Sequence, residues 1–192
     1  MANNDSPFGF RPLQSLGSGD YTGKTTKYVH ASGDSVALFI GDPVKFAGGV
    51  DTDGKTPTVE AASTASDVYA GVVVRVQFSA DALTTTYCVA STRREVFVMT
   101  DPDAEYLVQE DSDAGYIAAA DVGYNVQAIA GTGDTNTGLS GYEIDSSTAA
   151  TTNTHGWRIL RMWEDPDNTV GNYCKWVVKC NRSAFANQIA GV

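Results

Sequence analysis

Eleven residues, Val68-Tyr-Ala-Gly-Val-Val-Val-Arg-Val-Gln-Phe78, constrain this chain more than any other stretch. Val68, Ala70, Val72, Val74, Val76 and Phe78 recur with period two, the pattern of a strand with one buried face. Shorter runs of the same kind follow one another along the chain. Residues 26–31, 36–40 and 44–46 are strand candidates, with Gly41-Asp-Pro as a turn and residues 48–55 as a hairpin loop. Residues 94–100 and 105–109 flank Asp101-Pro-Asp and predict a hairpin. Residues 156–163 and 173–181 predict another, across Glu164-Asp-Pro-Asp-Asn. In its second strand Cys174, Trp176, Val178 and Cys180 share one face, and Lys175 and Lys179 the other. Residues 116–130 are ambiguous: their alanines permit helix, but Val122, Gly123, Val126 and Ile129 suggest loop and strand. Residues 131–138 and 145–154 read as polar surface loops, and 183–192 as a short helix or loose tail. About ten short strands without a long helical period predict a mainly β fold, a single β-sandwich or barrel-like domain.

That domain is expected over residues 28–192, preceded by an extended N-terminal arm over residues 1–27. Pro7 and Pro12 fix φ and block helix there. Phe8, Phe10 and Leu13 are too few to build a core, yet apolar for a free tail. The expectation is that Phe8, Phe10, Arg11 and Leu13 bind a neighbouring subunit or a partner.

The arm ends in Gly17-Ser-Gly-Asp-Tyr-Thr-Gly-Lys-Thr, which imitates a phosphate-binding loop. That loop needs glycine where Ser18 stands, a buried strand before it and a helix after it. Here two prolines precede it, and β-branched and aromatic residues follow. A glycine-rich surface turn is the expected structure, with no ATP or GTP site.

Charge narrows the partners. The net charge of −10 is concentrated, because residues 101–155 hold ten acidic side chains and no lysine or arginine. Such a surface repels nucleic acid backbones and anionic lipids. No apolar run of about 18 residues predicts a membrane span. The first residues have neither a basic start nor an apolar stretch, so no secretory signal is expected, and the Asn4 and Asn181 sequons carry no meaning. Cys88, Cys174 and Cys180 are then expected as free thiols filling a core. Cys174 and Cys180 on one strand would lie about 20 Å apart, too far for a disulfide.

Chemistry is sparse. His30 and His155 are the two histidines, and no Gly-X-Ser-X-Gly elbow is present. Asp101, Asp103, Glu105, Glu110, Asp111 and Asp113 offer a carboxylate pair for sugar hydrolysis or a weak cation site, but turn residues and surface charge account for them better. Asp51 and Asp53 begin like a calcium loop without its later glutamate. No metal spacing and no cofactor motif occurs. The profile is that of a structural component of an assembly rather than an enzyme.

Several stretches carry a resemblance. The opening Ser6-Pro-Phe-Gly-Phe-Arg-Pro-Leu and Ala37-Leu-Phe-Ile-Gly-Asp-Pro-Val-Lys are similar to stretches of small virion proteins of tailed phages. So are Glu95-Val-Phe-Val-Met-Thr-Asp-Pro-Asp-Ala-Glu-Tyr-Leu-Val-Gln, Asp121-Val-Gly-Tyr-Asn, Thr137-Gly-Leu-Ser-Gly, Arg158-Ile-Leu-Arg-Met, Asp165-Pro-Asp-Asn and Gly171-Asn-Tyr-Cys-Lys-Trp-Val-Val-Lys-Cys-Asn. In order and spacing the chain resembles head decoration, or cement, proteins over most of its length. The resemblance implies a β fold on the capsid exterior of a virion assembled in the host cytoplasm. It implies the major capsid protein as partner, a homodimer or homotrimer, and no catalytic residues. A tail, neck or fibre-associated virion protein is the alternative, followed by a surface enzyme that degrades polysaccharide.

Overall fold

In the computed structural model, which describes residues 3–17, 19–64, 66–80, 82–113 and 115–186, strands fall into two closed or nearly closed units. The first is a five-stranded barrel. It comprises β3 (Thr26–His30), β4 (Pro43–Val50), β5 (Pro57–Ala61), β6 (Gly71–Val76) and β7 (Arg94–Met99), in the order β3-β5-β4-β6-β7. β3 and β5 run parallel, and every other pair, including the closing β3–β7 ladder, is antiparallel. Tyr28, Leu38, Val44, Val59, Val73, Val76, Cys88, Val96 and Val98 fill its interior. β-Branched side chains dominate because they pack well against a pleated surface.

The second unit is a seven-stranded sheet. Its members are β1 (Arg11–Ser15), β2 (Gly19–Asp20), β8 (Ala104–Gln109), β9 (Asn125–Ile129), β10 (Glu143–Ala150), β11 (Trp157–Met162) and β12 (Lys175–Cys180), ordered β10-β9-β11-β12-β8-β1-β2. One parallel bridge between Glu110 and Ile144 turns the β10 edge back onto the end of β8. The strands β8-β12-β11-β9-β10 therefore form a ring closed by a single bridge. Tyr106, Val108, Val126, Ile144, Trp157, Ile159, Trp176 and Val178 belong to its core cluster, with Tyr69, Val72 and Met99 of the barrel side packed into the same cluster.

β6 is the shared wall. Val72 and Val74 pack into the ring's cluster, whereas Val73 and Val76 face the barrel interior. A register shift between Val73 and Arg75 moves Val76 to the barrel side. The period-two face expected over residues 68–78 is thus split between two cores, and Phe78 at its end is 56% exposed.

Residues 3–15 are sewn into the domain. Phe10 is 1% exposed and stacks on Trp157 with ring centres 4.1 Å apart. Gly9 and Gly41, both at positive φ, allow the two segments to cross. A Cβ on Gly9 would lie 2.8 Å from the Gly41 carbonyl, and one on Gly41 2.9 Å from the Phe8 carbonyl. The Phe10 amide donates to the Gly41 carbonyl at 2.9 Å. β1 then pairs with β8. Upstream, Asn3 bonds to the backbone of Thr169 and Asn172, and the Gln109 side chain bonds to the backbone of Asn4, Ser6 and Tyr173. In this chain the burial sought by Phe10 is found at home: the expected partner anchor is a core residue.

Three further expectations are corrected. β7 and β8 do not pair; Asp101-Pro-Asp is the corner where the chain leaves the barrel for the sheet. Residues 36–40 make isolated bridges at Leu38 and Ile40 rather than a strand. Part of the loop expected over 145–154 is β10. Residues 116–130 resolve into a 3-10 turn at Ala119–Asp121 and β9. The β11–β12 hairpin forms as expected, with Ile159 opposite Val178. Of the expected terminal helix or tail, residues 187–192 lie outside the described residues.

Candidate functional site

Three of the four residues singled out in the N-terminal segment stay at the surface. Phe8 and Leu13 are half-buried, and Arg11 is exposed. The Arg11 guanidinium lies 4.8 Å from the centre of the Phe8 ring, a cation–π arrangement. Phe8 and Arg11 open onto a groove of about 880 Å³, together with Leu107, Trp163, Asp165 and Lys175. The N-terminal segment forms one wall, and the 163–168 turn the other. That turn is rigid, because Asn168 donates to the Trp163 and Lys175 carbonyls and accepts from the Lys175 amide. Arginine and aromatic side chains at a concave surface are the usual anchors of protein interfaces. Trp163 was missed by sequence reasoning. Its signal was its place at the strand end, directly before the Glu164-Asp-Pro-Asp-Asn turn.

The phosphate-loop imitation has neither the spacing nor the setting. Gly17, Gly19 and Gly23 sit at positive φ in and around the two-residue strand β2, and a strand, β3, follows where a helix would be required. Ser18 lies outside the described residues. Lys24 lines an open cleft of about 650 Å³ with Ser15, Asp20, Tyr21 and Asp101. A third cleft, of about 530 Å³, lies between the barrel and residues 130–135 and holds Phe39, Tyr142, Lys45 and Asp42. Burial pushes the Asp42 carboxyl up to about 6.

The histidines do not meet. His30 is buried in the barrel, with Nδ1 3.1 Å from the Thr92 carbonyl and Nε2 2.9 Å from the Val36 carbonyl and 3.3 Å from Asp34 Oδ2. His155 belongs to the loop before β11, with Nδ1 3.3 Å from the Asn125 carbonyl. Neither ring has a serine or cysteine as hydrogen-bond partner among the described residues. Burial pushes the Cys88 and Cys174 thiols up to about 12, so both are poor nucleophiles at neutral pH. All three cysteines are free.

The acidic run disperses. Asp101 and Asp103 hold the corner turn, Asp103 pairing with Lys179. Glu105 faces Arg161 at 3.1 Å and Gln14 at 3.0 Å. Glu110 continues the opposite, core-facing register of Tyr106 and Val108 and meets Trp176. Asp51 pairs with Arg93 at 2.6 Å, and Asp53 caps its own turn by accepting from Lys55 and Thr56. Those bonds, led by the Thr56 amide, lower Asp53 to about 2. Among the described residues no three His, Cys, Asp or Glu side chains are grouped to hold a metal ion. Among the described residues no helix is long and apolar enough to cross a membrane.

No protein-family model matches the chain, and neither a curated protein nor a solved structure is detectably similar to it.

Proposed function

We propose that this protein is a structural virion component, a capsid decoration or cement protein of a tailed phage. It binds the outer capsid surface as a homo-oligomer and braces neighbouring major capsid subunits. The observation that carries this reading is the groove built by Phe8, Arg11 and Trp163. It is a concave surface with interface chemistry, formed by the N-terminal stretch that resembles the cement proteins. In this reading the N-terminal segment contributes Phe8, Arg11 and Leu13 to the contact, and Phe10 locks that segment to the ring of its own chain.

The mechanism is additive contact area. An interface of standard size buries about 1,600 Å². Repeated over a shell under internal pressure, even weak contacts accumulate through multivalency. The acids of the 101–155 segment that stay at the surface, Asp113 and Asp134 among them, would face outward and keep decorated particles apart by charge repulsion. The protein acts without a cofactor, without catalysis and without contact to nucleic acid or membrane.

The test adds purified protein to undecorated, expanded heads of the phage that encodes it and measures co-sedimentation and the imaged surface. Wild type is expected to bind in an ordered array. Arg11→Glu and Trp163→Ala, both surface changes, are expected to weaken binding at least tenfold while leaving the fold intact. Protein found on the tail, or on no particle at all, contradicts the reading.

A further inference from the structure

Among the described residues the ring is closed by one bridge, and that place is crowded with acids. β8 ends at Gln109, and the next residue, Glu110, makes the single bridge to Ile144. The Asp111 amide donates to the Ile144 carbonyl at 3.0 Å. Glu110 is 0% exposed. Its Oε2 accepts from the Ile117 amide at 2.9 Å and from the Trp176 indole Nε1–H at 3.0 Å, while its buried Oε1 has no partner. Asp111 is 6% exposed. Its Oδ1 accepts from the Ser146 amide and hydroxyl at 2.9 and 2.7 Å, and its buried Oδ2 has no partner. Glu143, next to Ile144 in the bridge, has a buried Oε1 with no partner either.

Among the described residues no cation answers these three carboxyls. Residues 101–155 contain no lysine or arginine. None of the three belongs to an ion pair among the described residues. The groups that do act on them are acids: Asp5 from the N-terminal segment, Asp113 from the loop after the bridge and Asp145 from β10. On the core side the neighbouring titratable group is the Cys174 thiol. A buried carboxylate without countercharge is costly, and a proton removes most of that cost. Burial, reinforced by the neighbouring acids, raises Asp111 and pushes Glu110 and Glu143 up to about 7.

We propose that the Glu110–Ile144 seam is a proton-operated latch: with the three carboxyls protonated the ring is shut, and their ionisation drives β10 away from the end of β8. The opening would free the β10 edge, held on its other side by β9 alone. The direction follows from linkage. The folded chain holds protons that the unfolded chain has released, so stability falls as pH rises from the ordinary glutamate range, 4.5, through about 7, and levels off above it.

The experiment is thermal unfolding of the full chain from about pH 5.5 to about pH 8.5, combined with NMR of the Trp176 indole N–H, the proton bonded to Glu110. Wild type is expected to lose several degrees over that range, with the indole signal shifting near neutral pH. Glu143→Gln, at the partly exposed rim, is expected to flatten the loss and shift the indole midpoint downward. Glu110→Gln is expected to abolish the indole titration. If Glu110→Gln fails to fold, Glu143→Gln alone decides. An unchanged pH profile in Glu143→Gln overturns the proposal. So does abolition of the alkaline loss by about 1 mM Ca²⁺ in wild type, since a metal rather than a proton would then close the seam.

Discussion

The two units solve one problem, the disposal of sheet edges, in different ways. The barrel closes by strand ladders at every seam: β3 meets β7 over five residue pairs, from Thr26 opposite Val98 to His30 opposite Arg94, and its shortest ladders, β3–β5 and β4–β6, still hold two pairs each. The ring closes by one bridge, Glu110 to Ile144. The barrel interior is mostly valine. The ring is filled by large aromatic side chains, Trp157, Trp176, Tyr106 and the inserted Phe10. Small β-branched residues fill the barrel, whereas the ring, of equal strand number but closed by a bridge instead of a ladder, is filled by bulky aromatic plugs. The difference teaches that closure by backbone pairing and closure by packing are interchangeable to a degree. It also locates the weak point: where packing substitutes for pairing, the edge residues decide.

Breaking the plug should have the largest effect. Phe10→Ala removes the ring stacked on Trp157 and edge-on to Tyr106. It is expected to destabilise the protein by about 3–5 kcal/mol, read by chemical denaturation with intrinsic fluorescence. A loss below about 1 kcal/mol would mean that Phe10 leaves the core readily. A smaller loss is expected at the seam itself. Trp176→Phe keeps an aromatic ring but removes the indole donor, leaving Glu110 Oε2 with the Ile117 amide alone. The expected cost is about 1–3 kcal/mol, again by denaturant titration. At the other extreme, Lys27→Met breaks an exposed pair with Glu95 on the barrel surface. It should change stability by less than about 1 kcal/mol, and a larger loss would show that the barrel wall depends on surface charge.

Those sites also mark what was legible from residues alone. The β11–β12 hairpin was readable because alternation and turn chemistry agreed; Cys174, Trp176, Val178 and Cys180 pack on the ring's core as expected, while Val177 on the other face is buried as well. The turn at Asp101-Pro-Asp was equally readable, but turn residues report a change of direction and not the partner of the next strand. β7 and β8 therefore look like a hairpin and are a corner. Ser146, Ser147 and Thr148 make residues 145–150 read as loop because they are polar; an edge strand tolerates them, and these residues lie in β10. Phe10 looked unpartnered because its partners, Trp157 and Tyr106, lie about 100 residues or more away in sequence. Gly9 and Gly41 have no local pattern that announces a crossing. Of the seam, Glu110 was readable in principle, as an acid on the face that carries Tyr106 and Val108. The bridge to Ile144 was not, since a single long-range pair leaves no periodicity.

Native-state hydrogen exchange at about pH 6 and about pH 8, corrected for the intrinsic rate, tests the contrast between the two closures most directly. The account predicts that the Asp111 amide, together with those of the adjoining Glu143–Ala150 strand, exchanges by a local opening well before the Val96 and Val98 amides of the barrel. It predicts that protection at the seam drops at the higher pH while barrel protection holds. Equal protection of seam and barrel, unchanged between the two pH values, would contradict it.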